Sequence, residues 1–161
     1  RDPLWILHEQ CAIGDCVGDI QINIAGNSVS SSVLPMLRLH SDVAVRSAYV
    51  STELVPINTL DQVSAQYLKP DSKLFVKIDT QGFEWQVLDG AVEVLKHAQG
   101  VICELSLVPL YEGQRLWRDI VARLDQEGFM LWALQRGFTD PRTGQTLQMD
   151  GIFLRRDAVN D

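Results

Sequence analysis

Two acidic residues, Asp79 and Glu104, end two successive apolar segments of the chain. Each segment has the pattern of a buried β-strand, and the stretch between them has the pattern of a helix. A right-handed crossover places the carboxyl ends of such strands at one sheet edge, where open α/β folds bind ligands. Two carboxylates there can accept a hydroxyl proton, hold a cationic ligand or share a divalent ion. The structural alternative is that Asp79 caps the helix and Glu104 pairs with a surface Lys or Arg.

Three further residues have both a functional and a structural interpretation. Gly82, in the run DTQG at residues 79–82, allows a tight strand-to-helix turn and a close approach of the backbone to a ligand. Glu84 falls in the first helical turn, where the helix dipole favours a carboxylate. Asp15 lies in an early turn and could reach the same crevice, although an ordinary turn aspartate is the simpler explanation.

Helical patterns that alternate with buried strands predict a parallel α/β sheet that ends in a hairpin. Gly90 is expected to break the second helix, and Gly128 is expected to end the third. Residues 27–32 have the composition of a mobile polar loop, and residues 35–42 are predicted to be irregular. Strands are predicted at residues 20–24, 51–57, 73–79 and 101–105, with a final pair at 129–134 and 151–154, and helices at 59–67, 85–95 and 116–127.

Motifs of several other enzyme classes are absent from the sequence. No two glycines lie two positions apart, so there is no glycine-rich nucleotide loop, and Walker A, hydrolase-elbow and HExxH patterns are missing too. We interpret the histidines as surface or core-edge residues and the tryptophans as core residues. The histidines are His8, His40 and His97, and the tryptophans are Trp5, Trp85, Trp117 and Trp132.

The composition predicts one globular domain. The chain has 161 residues, of which 46% are hydrophobic and 22% charged, and this excludes disordered and collagen-like classes. A net charge of −7 disfavours nucleic-acid binding. The 3 cysteines form no CxxC pair, which favours a reducing, cytoplasmic setting without a zinc knuckle or disulfide framework. No apolar run has the length of a membrane span, so no membrane partner is expected.

The motif around Asp79 closely resembles the central motif of the FkbM-type methyltransferases. It reads FVKIDTQGFE over residues 75–84 and is followed by VLDGA at 87–91. Members of this family are class I enzymes that use S-adenosylmethionine, generally to methylate hydroxyl groups of sugars and natural products. The resemblance covers nearly the whole chain, because further matches follow in the family's order. These are AIGD at 12–15, SSS at 30–32, TLD at 59–61, ICEL at 102–105, PLY at 109–111 and DGIF at 150–153.

The resemblance implies a class I, Rossmann-like sheet with a C-terminal antiparallel hairpin. The family's glycine-rich cofactor loop and its ribose-holding acidic residue are absent from the sequence, which begins at Arg1 rather than Met. We therefore expect residues 1–161 to be a single domain, the C-terminal portion of a methyltransferase domain without the first two of seven strands. Whether such a portion is active by itself stays open on the sequence. Residues 4–8 would then be the third strand, 73–79 the fourth and 101–105 the fifth.

The resemblance also implies roles for four residues. Asp79 resembles the acidic residue beside the methyl donor, S-adenosylmethionine, where it orients the acceptor hydroxyl or takes its proton. Ala12 and Asp15 resemble the adenine-side wall of the donor site, and Glu104 resembles a substrate-side carboxylate. The expected acceptor is a small molecule or a glycan, and no residue is assigned as a metal ligand.

Two other functions stay open on the sequence. A methyltransferase-like binding module without catalytic activity would keep the acceptor surface or bind a partner. A metal-assisted enzyme would hold Mg²⁺ between Asp79 and Glu104 and would lose activity with a chelator. The methyltransferase is preferred because the motif from Asp79 to Ala91 is intact.

Overall fold

The computed structural model describes residues 2, 4–69 and 71–159 of the chain. Within these residues, helices and strands alternate over the second half of the chain, as the hydrophobic pattern predicts. The elements are β1 (Ala12–Gly14), β2 (Gly18–Ala25), α1 (Arg38–Val43), β3 (Tyr49–Thr59), α2 (Leu60–Ser64), β4 (Leu74–Ile78), α3 (Glu84–Asp89), α4 (Val92–His97), β5 (Ala98–Ser106), α5 (Trp117–Gln126), β6 (Phe129–Arg136) and β7 (Gln148–Arg155).

The described strands form two sheets in a mixed α/β fold. In the first sheet, β3 lies between β1 and β2, with β1 parallel and β2 antiparallel to it. In the second sheet the order is β4-β5-β7-β6; β4 and β5 are parallel, and β7 is antiparallel to both of its neighbours. The predicted β-α-β unit and the antiparallel C-terminal pair are confirmed. The resemblance implies a single sheet. This expectation is wrong for the described residues, because their strands form two separate sheets.

The second sheet is held by an apolar core, because its strands and the helices α3, α4 and α5 bury apolar side chains against each other. In β5, the side chains of Val101, Cys103 and Leu105 are fully buried. Leu88 from α3 and Leu124 from α5 belong to the same core and are also fully buried. Burial of one such side chain stabilises the fold by roughly 1.5–3 kcal/mol, so the ends of β4 and β5 are firmly positioned.

The predicted break at Gly90 is confirmed, and it brings the two sheets together. A Cβ atom at Gly90 would lie 1.9 Å from the carbonyl oxygen of Gly14, at the end of β1. Only glycine allows this approach of two backbones. The predicted glycine at the end of α5 is also confirmed, because Gly128 has a φ of 89° and its N–H donates to the carbonyl of Asp125.

Two of the four tryptophans predicted to be core residues are exposed. Trp85 and Trp117 pack against the core as predicted. Trp5 is 67% and Trp132 57% exposed. Trp132 lies on the edge strand β6, where the pairing with β7 shifts between Leu131 and Ala133. Trp132 has no partner on β7 at this bulge, and both faces of β6 are largely exposed after Met130, so the apolar pattern there does not mark core positions.

Two predictions of local structure are also wrong. Residues 4–8 form no strand, and their apolar side chains are exposed, because no strand among the described residues pairs with them. Residues 38–43 form α1 rather than an irregular segment. In the described part of the chain, no helix is long and apolar enough to cross a membrane.

Candidate functional site

One side chain, that of Gln81, joins the carboxyl ends of β4 and β5. Asp79 directly follows β4, and Glu104 lies near the end of β5. The Gln81 Nε2 donates to Asp79 Oδ1 at 3.0 Å and to the two carboxyl oxygens of Glu104 at 3.3 and 3.2 Å. The parallel register of β4 with β5 therefore brings the two predicted acidic residues together through one amide group.

The turn after β4 is built around the buried carboxylate of Glu84. Glu84 Oε1 accepts hydrogen bonds from the backbone N–H of Thr80 at 3.1 Å, the Thr80 hydroxyl at 3.3 Å and the N–H of Gly82 at 3.0 Å. Burial raises the pKa of Glu84, and the hydrogen bonds to Gly82 and Thr80 oppose the rise. Gly82 has a φ of 97°, and a Cβ there would lie 2.8 Å from the Tyr111 ring. Glycine is required at this turn both for its backbone conformation and for space.

Glu104 holds its proton more tightly than an ordinary carboxyl group. Burial, reinforced by the nearby charges of Glu84, Asp79 and Asp150, raises the pKa of Glu104 to about 8, while the hydrogen bond from Gln81 opposes the rise. Asp150 lies directly across from Glu104 in the β5–β7 pairing. Glu104 can therefore be a neutral acid at pH 7. The structural alternative expects an ion pair with a surface Lys or Arg, and no such pair with Glu104 is found among the described residues.

Asp79 is the more accessible of the two acids. Its side chain is 40% exposed, and its Oδ2 lies 2.9 Å from the ammonium nitrogen of Lys77. The structural alternative for Asp79 is not observed, because the residue at the N-cap of α3 is Phe83 and α3 has no side-chain cap. Asp79 thus presents a partly solvated carboxylate, with one oxygen held by Lys77 and the other by Gln81.

Both acids line a cleft of about 370 Å³. The loop of residues 27–32, predicted to be polar, forms one side of it. Among the described residues that line this cleft there is no Lys or Arg, so its wall is acidic and neutral-polar with a few apolar groups. The lining residues are Asn27, Val29, Ser30, His40, Ala44, Asp79, Gln81, Glu104, Phe138 and Gln148.

Of the two positions expected for His40, the structure shows the core edge and not the surface. Only 3% of it is exposed, and its ring lies 5.2 Å from that of Tyr111 and 5.1 Å from that of Phe138. Burial lowers the pKa of His40, which favours the neutral imidazole. Its Nδ1 is buried without a hydrogen-bond partner among the described residues. His40 is thus a neutral polar group of the cleft wall, packed against the rings of Tyr111 and Phe138.

Of the two residues expected at the adenine-side wall, Ala12 lines a cavity and Asp15 is exposed. Ala12 lines a second cavity of about 240 Å³, on the other side of the turn that follows Asp79. Ile13 and Phe83 contribute apolar walls to this cavity, and Thr80 lies at its border with the turn. Asp15 is exposed in the turn after β1 and lines neither this cavity nor the acidic cleft. Ala12 therefore shares a cavity with Thr80 and Phe83, which follow Asp79 in the chain, and Asp15 is not among the residues that line it.

A metal between the two acids is disfavoured by the Gln81 amide. Its N–H groups face both Asp79 and Glu104, and a bound cation would need oxygen atoms in that place. Within the described ranges, no group of three or more His, Cys, Asp or Glu side chains is arranged to hold a metal ion.

Sequence reasoning missed the polar partners of the two acids. Gln81 stands in the conspicuous motif, and its place two residues after Asp79 was the available signal. Gln148 donates to Glu104 Oε2 at 2.6 Å, and the Tyr111 hydroxyl donates to Gln81 Oε1 at 2.8 Å. These two residues lie 44 and 30 positions from the groups they contact, and no local pattern in the sequence connects them.

The match to known proteins agrees with the motif around Asp79. Residues 3–131 match the family model described as methyltransferase FkbM domain. No curated protein and no solved structure matches the chain. The matched segment includes Asp79, Gln81 and Glu104 and extends over well more than half of the chain. The expected family is confirmed: the chain belongs to the FkbM methyltransferase domain family.

Proposed function

We propose that this chain takes part in the transfer of a methyl group from S-adenosylmethionine to a hydroxyl group of a sugar or natural-product acceptor. The observation that carries the proposal is the pair of acids, Asp79 and Glu104, joined by Gln81 in the wall of an open cleft. Within a methyltransferase family, such a pair supplies the groups that an oxygen nucleophile needs. These are an acceptor for its proton and a second group that orients it.

Asp79 is the group proposed to accept the proton. Gln81 and Lys77 hold its two oxygens, so the carboxylate has a set orientation while its side chain is still 40% exposed. A hydroxyl group that donates to Asp79 passes its proton there as the oxygen becomes an ether oxygen. A positioned general base of this kind contributes about 10²–10⁴-fold to the rate.

Glu104 has a different role because its environment is different. With a pKa of about 8, it is mostly protonated at pH 7. A neutral carboxyl group can donate a hydrogen bond to an acceptor oxygen, and it does not add a second negative charge beside Asp79. Two carboxyl groups with different environments can thus divide the work of base and orienting acid.

The cavity lined by Ala12, Ile13 and Phe83 fits the adenine part of the methyl donor. When bound, S-adenosylmethionine supplies a methyl group activated by a positively charged sulfur. Ala12, Ile13 and Phe83 offer apolar walls in a cavity of about 240 Å³ that would hold a flat adenine ring. The carboxylate of Asp79, close to the same turn, suits a cationic group.

The charge of the cleft limits which class of acceptor molecule it can bind. Two acids and several neutral amide and hydroxyl groups line it, and no basic side chain among the described lining residues could pair with an anion. A phosphate or carboxylate on the acceptor would be repelled by Asp79. The proposed acceptor is therefore an uncharged molecule with several hydroxyl groups, and a small carboxylate is disfavoured.

Calorimetric titration with S-adenosylhomocysteine, with and without Mg²⁺, tests the donor site. We expect binding that does not depend on Mg²⁺, and micromolar affinity would mean that the donor site is complete without the glycine-rich loop that the family resemblance implies. Ala12→Phe fills the second cavity and should abolish binding, whereas Ala65→Phe, at an exposed alanine in another part of the chain, should not. Asp15→Ala tests whether that exposed residue takes part.

Transfer of a labelled methyl group to matched acceptors tests the rest of the proposal. A neutral polyol should be methylated in preference to its phosphorylated form. A folded chain that binds no S-adenosylhomocysteine would contradict the proposal for this chain and favour a non-catalytic binding module. Binding that requires Mg²⁺ would favour the metal-assisted enzyme.

A further inference from the structure

The backbone of Gln81 has an unusual conformation that directs its side chain toward the cleft. Its φ of 54° lies in the left-handed region, which residues other than glycine rarely occupy. The Ser32 hydroxyl donates to the Gln81 carbonyl oxygen at 2.7 Å, and the side chain of Gln81 lines the cleft. Such conformations persist where the surrounding structure requires them, often at functional sites.

Tyr111 determines which way the amide group of Gln81 faces. Its hydroxyl donates to Gln81 Oε1, which leaves Nε2 to donate to Asp79 and Glu104. The reversed amide would place Oε1 against the carboxylate of Asp79 and Nε2 against the phenol. Tyr111 is 1% exposed, and burial raises the pKa of its phenol, so the phenol keeps its proton and remains a donor.

A closed ring of hydrogen bonds holds Tyr111 in this place. Gln114 Oε1 accepts from the Tyr111 backbone N–H at 2.7 Å, and Gln114 Nε2 donates to the Ser106 hydroxyl at 2.9 Å. Gln148 Nε2 lies 3.3 Å from the same hydroxyl oxygen and 2.6 Å from Glu104 Oε2. The ring passes through Gln81, Tyr111, Gln114, Ser106, Gln148 and Glu104.

We propose that Tyr111 is a positioning residue of the cleft, which acts through Gln81 to orient Asp79 and Glu104. The phenol fixes the amide, and the amide gives each carboxyl group an N–H donor. The closed ring prevents the amide from turning over. The catalytic part of this inference rests on the proposed methyl transfer, whereas the effect on the carboxyl groups does not.

The ionisation of Glu104 depends directly on the orientation of the Gln81 amide. A hydrogen bond from an N–H favours the ionised form of a carboxyl group, so its loss makes Glu104 harder to ionise. Tyr111→Phe removes one oxygen atom and leaves the charged and titratable groups around Glu104 unchanged. These groups are Lys77 and Asp79 from β4 and its end, Glu84 from α3, Cys103 beside Glu104 in β5, Asp150 from β7, and His40 from α1 across the cleft.

Carbon-13 NMR titration of the Glu104 carboxyl group tests the proposal without any enzymatic assay. Its signal is assigned by its loss in Glu104→Gln. We expect the titration midpoint of Glu104 to rise by about 0.5–1 pH unit in Tyr111→Phe. The matched control is Tyr49→Phe, because the Tyr49 hydroxyl donates to the Leu34 carbonyl outside the ring. An unchanged midpoint in folded Tyr111→Phe, or an equal rise in the control, would overturn the proposal.

A second variant keeps the test decisive if Tyr111→Phe does not fold. Gln81→Met has a side chain of similar length without the amide, and the same rise of the Glu104 midpoint is expected. An unchanged midpoint in this variant would also overturn the proposal.

The catalytic part is tested by the pH profile of methyl transfer. In Tyr111→Phe, we expect kcat to fall about 10-fold with little change in KM, and the limb of the profile that reports Glu104 to move with the NMR midpoint. A shifted midpoint with wild-type kcat and pH profile would refute the catalytic role of the positioning. If the wild-type chain transfers no methyl group, the NMR titration still decides the structural claim, and the failure then belongs to the proposed function.

Discussion

Replacement of Asp79 by Asn removes one negative charge from the cleft and keeps the shape of the side chain. It breaks the ion pair with Lys77, in which the two side chains are 57% (Lys77) and 40% (Asp79) exposed. Exposed pairs of this kind contribute about 0–1 kcal/mol to stability. The hydrogen bond from Gln81 Nε2 can persist, because Asn also has a side-chain carbonyl oxygen at this position. The free energy of unfolding should therefore fall by less than about 1 kcal/mol.

The same replacement should greatly reduce methyl transfer. Asn cannot take up the hydroxyl proton, so the loss should equal the contribution of a general base, about 10²–10⁴-fold in kcat. Urea unfolding and the initial rate of labelled methyl transfer are measured on the same preparations. Asp71→Asn is the matched control, because Asp71 is exposed and precedes β4, at the opposite end of that strand. Wild-type turnover in Asp79→Asn would remove Asp79 from the mechanism. A stability loss above about 2 kcal/mol would refute the weak contribution expected from the ion pair.

Two further predictions concern the buried acids. Glu84→Ala leaves the N–H groups of Thr80 and Gly82 without their acceptor, so the free energy of unfolding in urea should fall by about 2–5 kcal/mol. Glu84→Gln keeps an acceptor oxygen, so the fall should be about 1 kcal/mol or less. Equal losses in the two variants would show that the charge, not the acceptor, matters. The raised pKa of Glu104 means that the folded chain binds this proton more tightly than the unfolded chain does. The protonated Glu104 therefore contributes to stability below about pH 4.5, and this contribution is lost as the pH rises to about 8. The urea midpoint of Glu104→Gln should fall less than that of the wild type between pH 5 and 8, and parallel curves would contradict the raised pKa.

The predicted position of Asp79 and Glu104 agrees with the structure because it depends on local pattern alone. Apolar runs ending in an acidic residue mark the ends of β4 and β5, and one intervening helical stretch makes the strands parallel. The break at Gly90 followed from the low helix propensity of glycine. The wrong prediction for residues 4–8 has the opposite cause. An apolar segment becomes a strand only where another strand supplies its hydrogen bonds, and sequence pattern does not show whether one is present.

The chemistry of the two acids depends on contacts between distant parts of the chain. The amino-acid sequence specifies which carboxyl groups stand at the sheet edge and the family to which the chain belongs, since both are written in short continuous motifs. The pairing of β5 with β7 brings Gln148 and Asp150 to Glu104, and the loop before α5 brings Tyr111 to Gln81. Burial and the nearby charges of Glu84, Asp79 and Asp150 raise the pKa of Glu104, so its environment differs from that of Asp79. Strand order and register set such contacts, and they arise only when the chain has folded.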